Sequence, residues 1–131
     1  MMGSRGGMLG WTVVRVVFGL TLALLHGLPK VTGGVEQFAR GVAALGFPYP
    51  TFFAWCAALA ELVGGLLVAV GLFTRPAAAF AGFTMMVALY RHRVDPFARM
   101  ELALLYFSVM LAAVLIGAGP LSLDAKVRHR A

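Results

Sequence analysis

Residues 51–73, TFFAWCAALAELVGGLLVAVGLF, form an apolar run of twenty-three residues broken by one charged side chain, Glu61. A helix rises about 1.5 Å per residue and the hydrocarbon of a bilayer is about 30 Å thick, so about twenty apolar residues make one crossing. A charged side chain at the bilayer centre costs roughly 2.5–3.5 kcal/mol on insertion scales, so Glu61 needs a partner or a wet cavity. What Glu61 meets is the question on which the rest of the chain bears.

The remainder of the sequence fits the same solvent. The chain is 61% hydrophobic and 12% charged, with a mean hydropathy of +0.90, well above ordinary soluble domains. These 131 residues leave room for one membrane domain, 1–131, and no separate soluble one. The net charge of +6 fits a lipid bilayer with anionic headgroups, and no nucleic-acid partner is expected. One cysteine, Cys56, excludes an intrachain disulfide or a CxxC redox pair. The basic, apolar N-terminus resembles a signal peptide, but Arg15 interrupts it and no cleavage site follows, so it reads as a retained first span.

Hydropathy predicts four spans, at about 9–28, 51–73, 76–92 and 101–118, and hence an all-α, four-helix transmembrane bundle. Gly19, Ala23 and Gly27 recur every four residues in the first span, and Ala60, Gly64, Gly65 and Ala69 mark the second. Small residues at that spacing let helices approach closely. Between these spans, Val35, Phe38, Val42 and Leu45 fall at helical spacing with Glu36, Gln37 and Arg40 pointing elsewhere. That pattern predicts a short interfacial amphipathic helix over about 34–45, bracketed by Gly33, Gly34 and GFPYP. The tail SLDAKVRHRA reads as basic and polar. Lys and Arg divide equally between the two ends of such a bundle, so charge bias does not orient it; the basic tail favours cytoplasmic termini.

Two groups of polar residues emerge when the spans are aligned by their midpoints. Arg15 falls about 5 Å from the centre of the first span, at a depth that predicts a pair with Glu61 on the adjacent antiparallel helix. Such a pair either fixes packing or belongs to a functional site. The second group, His26, Lys30, Arg91, His92 and Glu101, shares one level at the face opposite the termini. It is either a set of interfacial charges or the rim of a pocket for an anion or a quinone. The candidate ligand-binding residues are therefore Arg15, Glu61, His26, Lys30, His92 and Glu101, and no catalytic residue stands out. No metal site is expected: His26 and His92 lack a haem signature, and His26, His92 and Glu101 lie on three different helices. Met85 and Met86 read as packing.

Taken in order, RVVFGLTLALLHGLPK, GFPYP, AELVGGLLVAVGLFTRPAA, the glutamate opening ELALLY, and GAGPLSLDA resemble the DoxX family of small four-helix bacterial membrane proteins. The resemblance rests on Arg15, His26-Gly27, Lys30, Glu61 with Gly64-Gly65, Gly71 with Thr74-Arg75, and Gly119-Pro120 with Ser122 and Asp124. It implies a multi-pass protein of the bacterial cytoplasmic membrane. Relatives so named are associated with quinol oxidation, with the membrane part of thiosulfate:quinone oxidoreductase, and with a complex defending against thiol and oxidant stress.

Three functions follow as expectations. The first is a membrane subunit of a redox complex, with membrane or peripheral protein partners and a quinone or a small sulfur oxyanion bound near Arg15 and Glu61. The second is a structural or assembly subunit, and self-association into a homo-oligomer is compatible with either. The third is a small-molecule or proton transporter, for which four short helices make a poor machine. With no resident metal motif, thiol pair or nucleotide loop, catalysis would need a partner or a bound quinone, and no intrinsic cofactor is expected.

Overall fold

A computed structural model describes residues 4–130, and among them the secondary structure is helical throughout. Helix α1, Arg5–Thr21, starts where the Ser4 hydroxyl accepts the Gly7 amide at 3.0 Å, an N-cap that places its start ahead of the expected 9–28 span. Its far end also runs past 28. The helix widens through a π-turn at Leu22–Gly27, where the Leu28 amide reaches the Ala23 carbonyl, and again at Lys30–Gly34. Pro29 lies between the two turns and has no amide to give to the turn behind it. Gly33, at φ 154°, then breaks the direction, a conformation open to glycine because it lacks Cβ.

Helix α2, Val35–Ala44, sits close to the expected 34–45. Its buried Val35, Ala39 and Val42, with Phe38 beside them, pack on Ala54, while Glu36, Gln37 and Arg40 are exposed. Helix α3, Pro50–Val70, has proline in its first turn and stops at Gly71, whose left-handed φ of 74° turns its amide onto the Leu67 carbonyl at 2.8 Å. The expected span 51–73 therefore ends early. Helix α4, Thr74–Arg91, follows at once. Helix α5, Phe97–Ile116, begins one turn ahead of the expected 101 because Pro96 opens a helix, and Gly117 ends it. The basic, polar tail forms helix α6, Leu123–Arg130.

Helix α3 is central. Its Gly65 faces α1, where a Cβ on Gly19 would stand 2.6 Å from the Gly65 carbonyl oxygen, and Gly27 lies against Leu62. Gly64 faces α4, where its Cβ would lie 3.2 Å from the Ala77 carbonyl oxygen. Two adjacent glycines thus let α3 touch a different backbone on either side. Helix α5 packs on α4, with Gly82 against Met110, and returns to α1 through Phe18 and Tyr106, whose rings meet edge-on at 5.6 Å. The core between them holds Trp11, Leu22, Val68, Met85, Tyr106 and Met110.

Among the described residues, three helical stretches are long and apolar enough to cross a membrane: Arg5–Ala44, Pro50–Val70 and Phe97–Ile116. Helix α4, carrying Arg75 and Arg91 near its two ends, falls outside that set. Leucine, valine and phenylalanine side chains that are exposed along these helices, such as Leu9, Val13, Leu25, Phe80 and Leu115, suit hydrocarbon as their solvent.

Candidate functional site

Arg15 and Glu61 do not pair. Both are 2% exposed, yet each has other company. The Arg15 guanidinium donates to the backbone carbonyls of Ala118, Leu121 at 3.0 Å and Ala69 at 3.4 Å, while its Nε has no partner. Glu61 forms an ion pair with Lys30 at 2.5 Å. Aligning the spans by their midpoints misplaced the register. With Gly19 on Gly65 and Ala69, and Gly27 on Leu62, Arg15 stands beside Ala69, two helical turns toward the termini from Glu61.

The terminal end is a structural clamp. Trp11 donates its indole N–H to the Gly117 carbonyl at 3.0 Å, next to the Arg15 contacts. From the other side, Asp124 accepts the Phe73 and Thr74 amides at 2.8 and 3.1 Å, and its own amide bonds the Gly71 carbonyl. The loop between α5 and α6 is thereby fixed to α1, α3 and α4 at once. Burial opposes ionisation of Asp124, but hydrogen bonds from Thr74 and Phe73, with the Arg128 charge, outweigh it and hold the carboxyl below its usual 3.8.

Toward the opposite end, α2, α3, α4 and α5 line a half-open cavity of about 580 Å³ with a mostly apolar lining. His26, Lys30 and Glu61 reach it from α1 and α3, and Arg91, His92, Arg99 and Tyr106 from α4 and α5. Lys30 also lies over the Phe38 ring at 4.7 Å, so its stem covers apolar surface while the ammonium meets Glu61. The His26 ring packs edge-on against Tyr106 at 5.3 Å, and the Tyr106 hydroxyl donates to Thr21 at 2.7 Å. His92 Nδ1 lies 2.7 Å from Asp95, which holds the Asp95 carboxyl below its ordinary value by that hydrogen bond first.

Of the six residues expected from sequence, His26, Lys30, Glu61 and His92 come together here. Arg15 lies in the clamp and Glu101 is exposed outside the cavity. Arg99 and Tyr106 were missed as candidates. Arg99, Leu102, Ala103 and Tyr106 follow one helical stripe, which is visible once α5 starts at Phe97 and which leaves Glu101 on another face.

A small helical membrane protein with apolar helices around an internal ion pair is the class that the fold defines. The DoxX family model matches residues 10–93, and the chain belongs to the DoxX family. It is 34% identical over 122 residues to a Bacillus subtilis protein described as "Putative oxidoreductase CatD", covering 88% of this chain and 85% of that one. It is also 37% identical over 111 residues to an uncharacterized protein of Haemophilus influenzae, covering 79% and 80% of the two chains. No solved structure matches.

Proposed function

We propose that this protein is a membrane subunit of a redox system and that the cavity beside the Lys30–Glu61 pair binds a quinone. The observation that carries the reading is the ion pair itself, set in the wall of an apolar cavity of about 580 Å³. That size lies within the roughly 300–1,000 Å³ usual for small-molecule sites, and a few polar groups on an apolar lining are their common pattern. A quinone offers a flat apolar ring and two carbonyls that accept hydrogen bonds, which Lys30 and His26 can donate. The description of the Bacillus subtilis relative as a putative oxidoreductase supports the redox setting. With one cysteine and hence no dithiol of its own, the chain depends on a partner protein for the electrons that such a quinone would exchange.

In this reading α4 crosses the bilayer with the other three long helices, with Arg75 and Arg91 marking its two ends at the faces of a bacterial cytoplasmic membrane. The test is titration of the detergent-purified protein with decyl-ubiquinone. Binding that weakens at least about tenfold in Glu61→Gln and in Lys30→Met, with both variants folded, is expected, since a charged hydrogen bond contributes about 1.5–3 kcal/mol. Unchanged binding in both variants, or no binding by the parent protein, overturns the reading.

A second reading, an assembly subunit without a ligand, is favoured by the same pair in another capacity: Lys30 follows the π-turn of the first helix, and Glu61 ties that irregular segment to α3. It predicts that replacing both residues together by apolar ones leaves association with partner chains intact.

A further inference from the structure

The charges around the cavity do not balance. Glu61 is neutralised by Lys30 at 2.5 Å, and Asp95 outside is held by His92 at 2.7 Å. Arg91 and Arg99 also line the cavity, and among the described residues neither forms an ion pair or a side-chain hydrogen bond; Asp95 feels both, at longer range. His26 and His92 are the remaining titratable groups of the lining besides Cys56 and Tyr106, and they add no negative charge at neutral pH. Two guanidinium groups, both on exposed residues, are therefore left over at one end of a half-open apolar cavity.

The placement of Arg91 has a cause in the backbone of α2. Its guanidinium lies directly against Gly41, where any Cβ would collide with it. Gly41 is buried and Arg40 beside it is exposed, so the glycine faces the cavity and makes the seat for the arginine. A guanidinium held against backbone, with its donors unused, suits a planar or tetrahedral oxyanion, which accepts two parallel N–H bonds.

We propose that this end of the cavity is an anion subsite: Arg91, seated on Gly41, and Arg99 receive one ionised oxygen of an amphipathic ligand whose apolar body fills the chamber. The inference rests on the reading of the cavity as a ligand site and adds that its ligand is bound as an organic anion rather than as a neutral quinone. A phospholipid phosphate offers the same oxyanion chemistry, and the experiment separates the two sources.

The full chain, purified in mild detergent, is titrated at neutral pH with an alkyl hydroxynaphthoquinone, which is ionised there, and with its neutral methyl ether. The anion is expected to bind at least about tenfold more tightly, the scale of one charge-assisted hydrogen bond. Arg91→Gln and Arg99→Gln should each bring the anion toward the ether. Gly41→Ala should do the same with Arg91 still present, by displacing the guanidinium. Equal affinity of the two compounds overturns the subsite and leaves the quinone reading standing; binding of neither overturns both. A preference retained in Arg91→Gln and Arg99→Gln also overturns it. Phosphatidylglycerol in the micelles is the last arm: displacement of the anion by this lipid, with the lipid alone retained through purification, assigns the arginines to headgroups and overturns the organic-ligand proposal.

Discussion

Asp124 caps the helix that begins at Thr74, its carboxylate taking the amides of Thr74 at 3.1 Å and of Phe73 at 2.8 Å. The first turn of α4 thus receives from a residue fifty positions later what a local cap would normally supply. The Asp124→Ala variant should lose about 1 kcal/mol or more of stability, the scale of an N-cap, read as a lower midpoint of unfolding in mixed micelles. Because the lost contact also releases α6, proteolysis near residue 120 should increase in the same variant.

Acid should act on the same contact. The Asp124 carboxyl is held below its ordinary 3.8, so its contribution is complete above that value and is lost as pH falls through the lowered one. The difference in unfolding midpoint between the parent protein and Asp124→Asn should be flat from neutral pH to about pH 5 and shrink below about pH 4. Asp95 titrates with the same sign, so a decline in acid remains in Asp124→Asn, and the difference between the two curves measures Asp124 alone.

The Lys30–Glu61 pair is asymmetric in burial, and its variants should be asymmetric too. The glutamate side chain is 3% exposed and the lysine 24%. Lys30→Met strands a buried carboxylate without its partner, whereas Glu61→Gln leaves an ammonium that can still reach solvent. The first should cost about 3–5 kcal/mol, and the second less. The double change Lys30→Met with Glu61→Leu should recover most of the loss, measured as folded protein by size-exclusion chromatography.

Arg15 should tolerate neither a neutral nor a merely charged replacement. Its fork serves three carbonyls on two segments, and lysine cannot reproduce that geometry. Arg15→Leu should lose roughly 2–4 kcal/mol, since buried acceptors are left unpaired, and Arg15→Lys should lose part of it. With Trp55→Phe as background, Trp11 emission reports the loosening of the adjoining loop.

The amphipathic α2 was legible because its buried positions keep helical spacing against a polar face, and the glycine faces of α1 and α3 because small residues recur every four positions. The level shared by His26, Lys30, Arg91 and His92 was legible for the same reason: each lies near the end of an apolar run. The register of α1 on α3 was not. Hydropathy marks where a span lies but not how far it slides along its neighbour, and here Gly19 on Gly65 and Gly27 on Leu62 decide that. The π-turns hid the reach of the first helix to Lys30, so Lys30 was read as a rim charge while Arg15 was given its partner. The cap made by Asp124 joins positions too distant in sequence for any local pattern to reveal.

The acceptors of Arg15 are main-chain oxygens of Ala69, Ala118 and Leu121. A grip on the chain's path rather than on its side chains imposes little on residue identity at 118 and 121. Descendants of this protein can therefore rewrite the exposed position 121 freely, while the buried Ala118 beside Gly71 stays small and the arginine is kept with the flanking Gly117 and Gly119, whose positive φ angles aim the carbonyls.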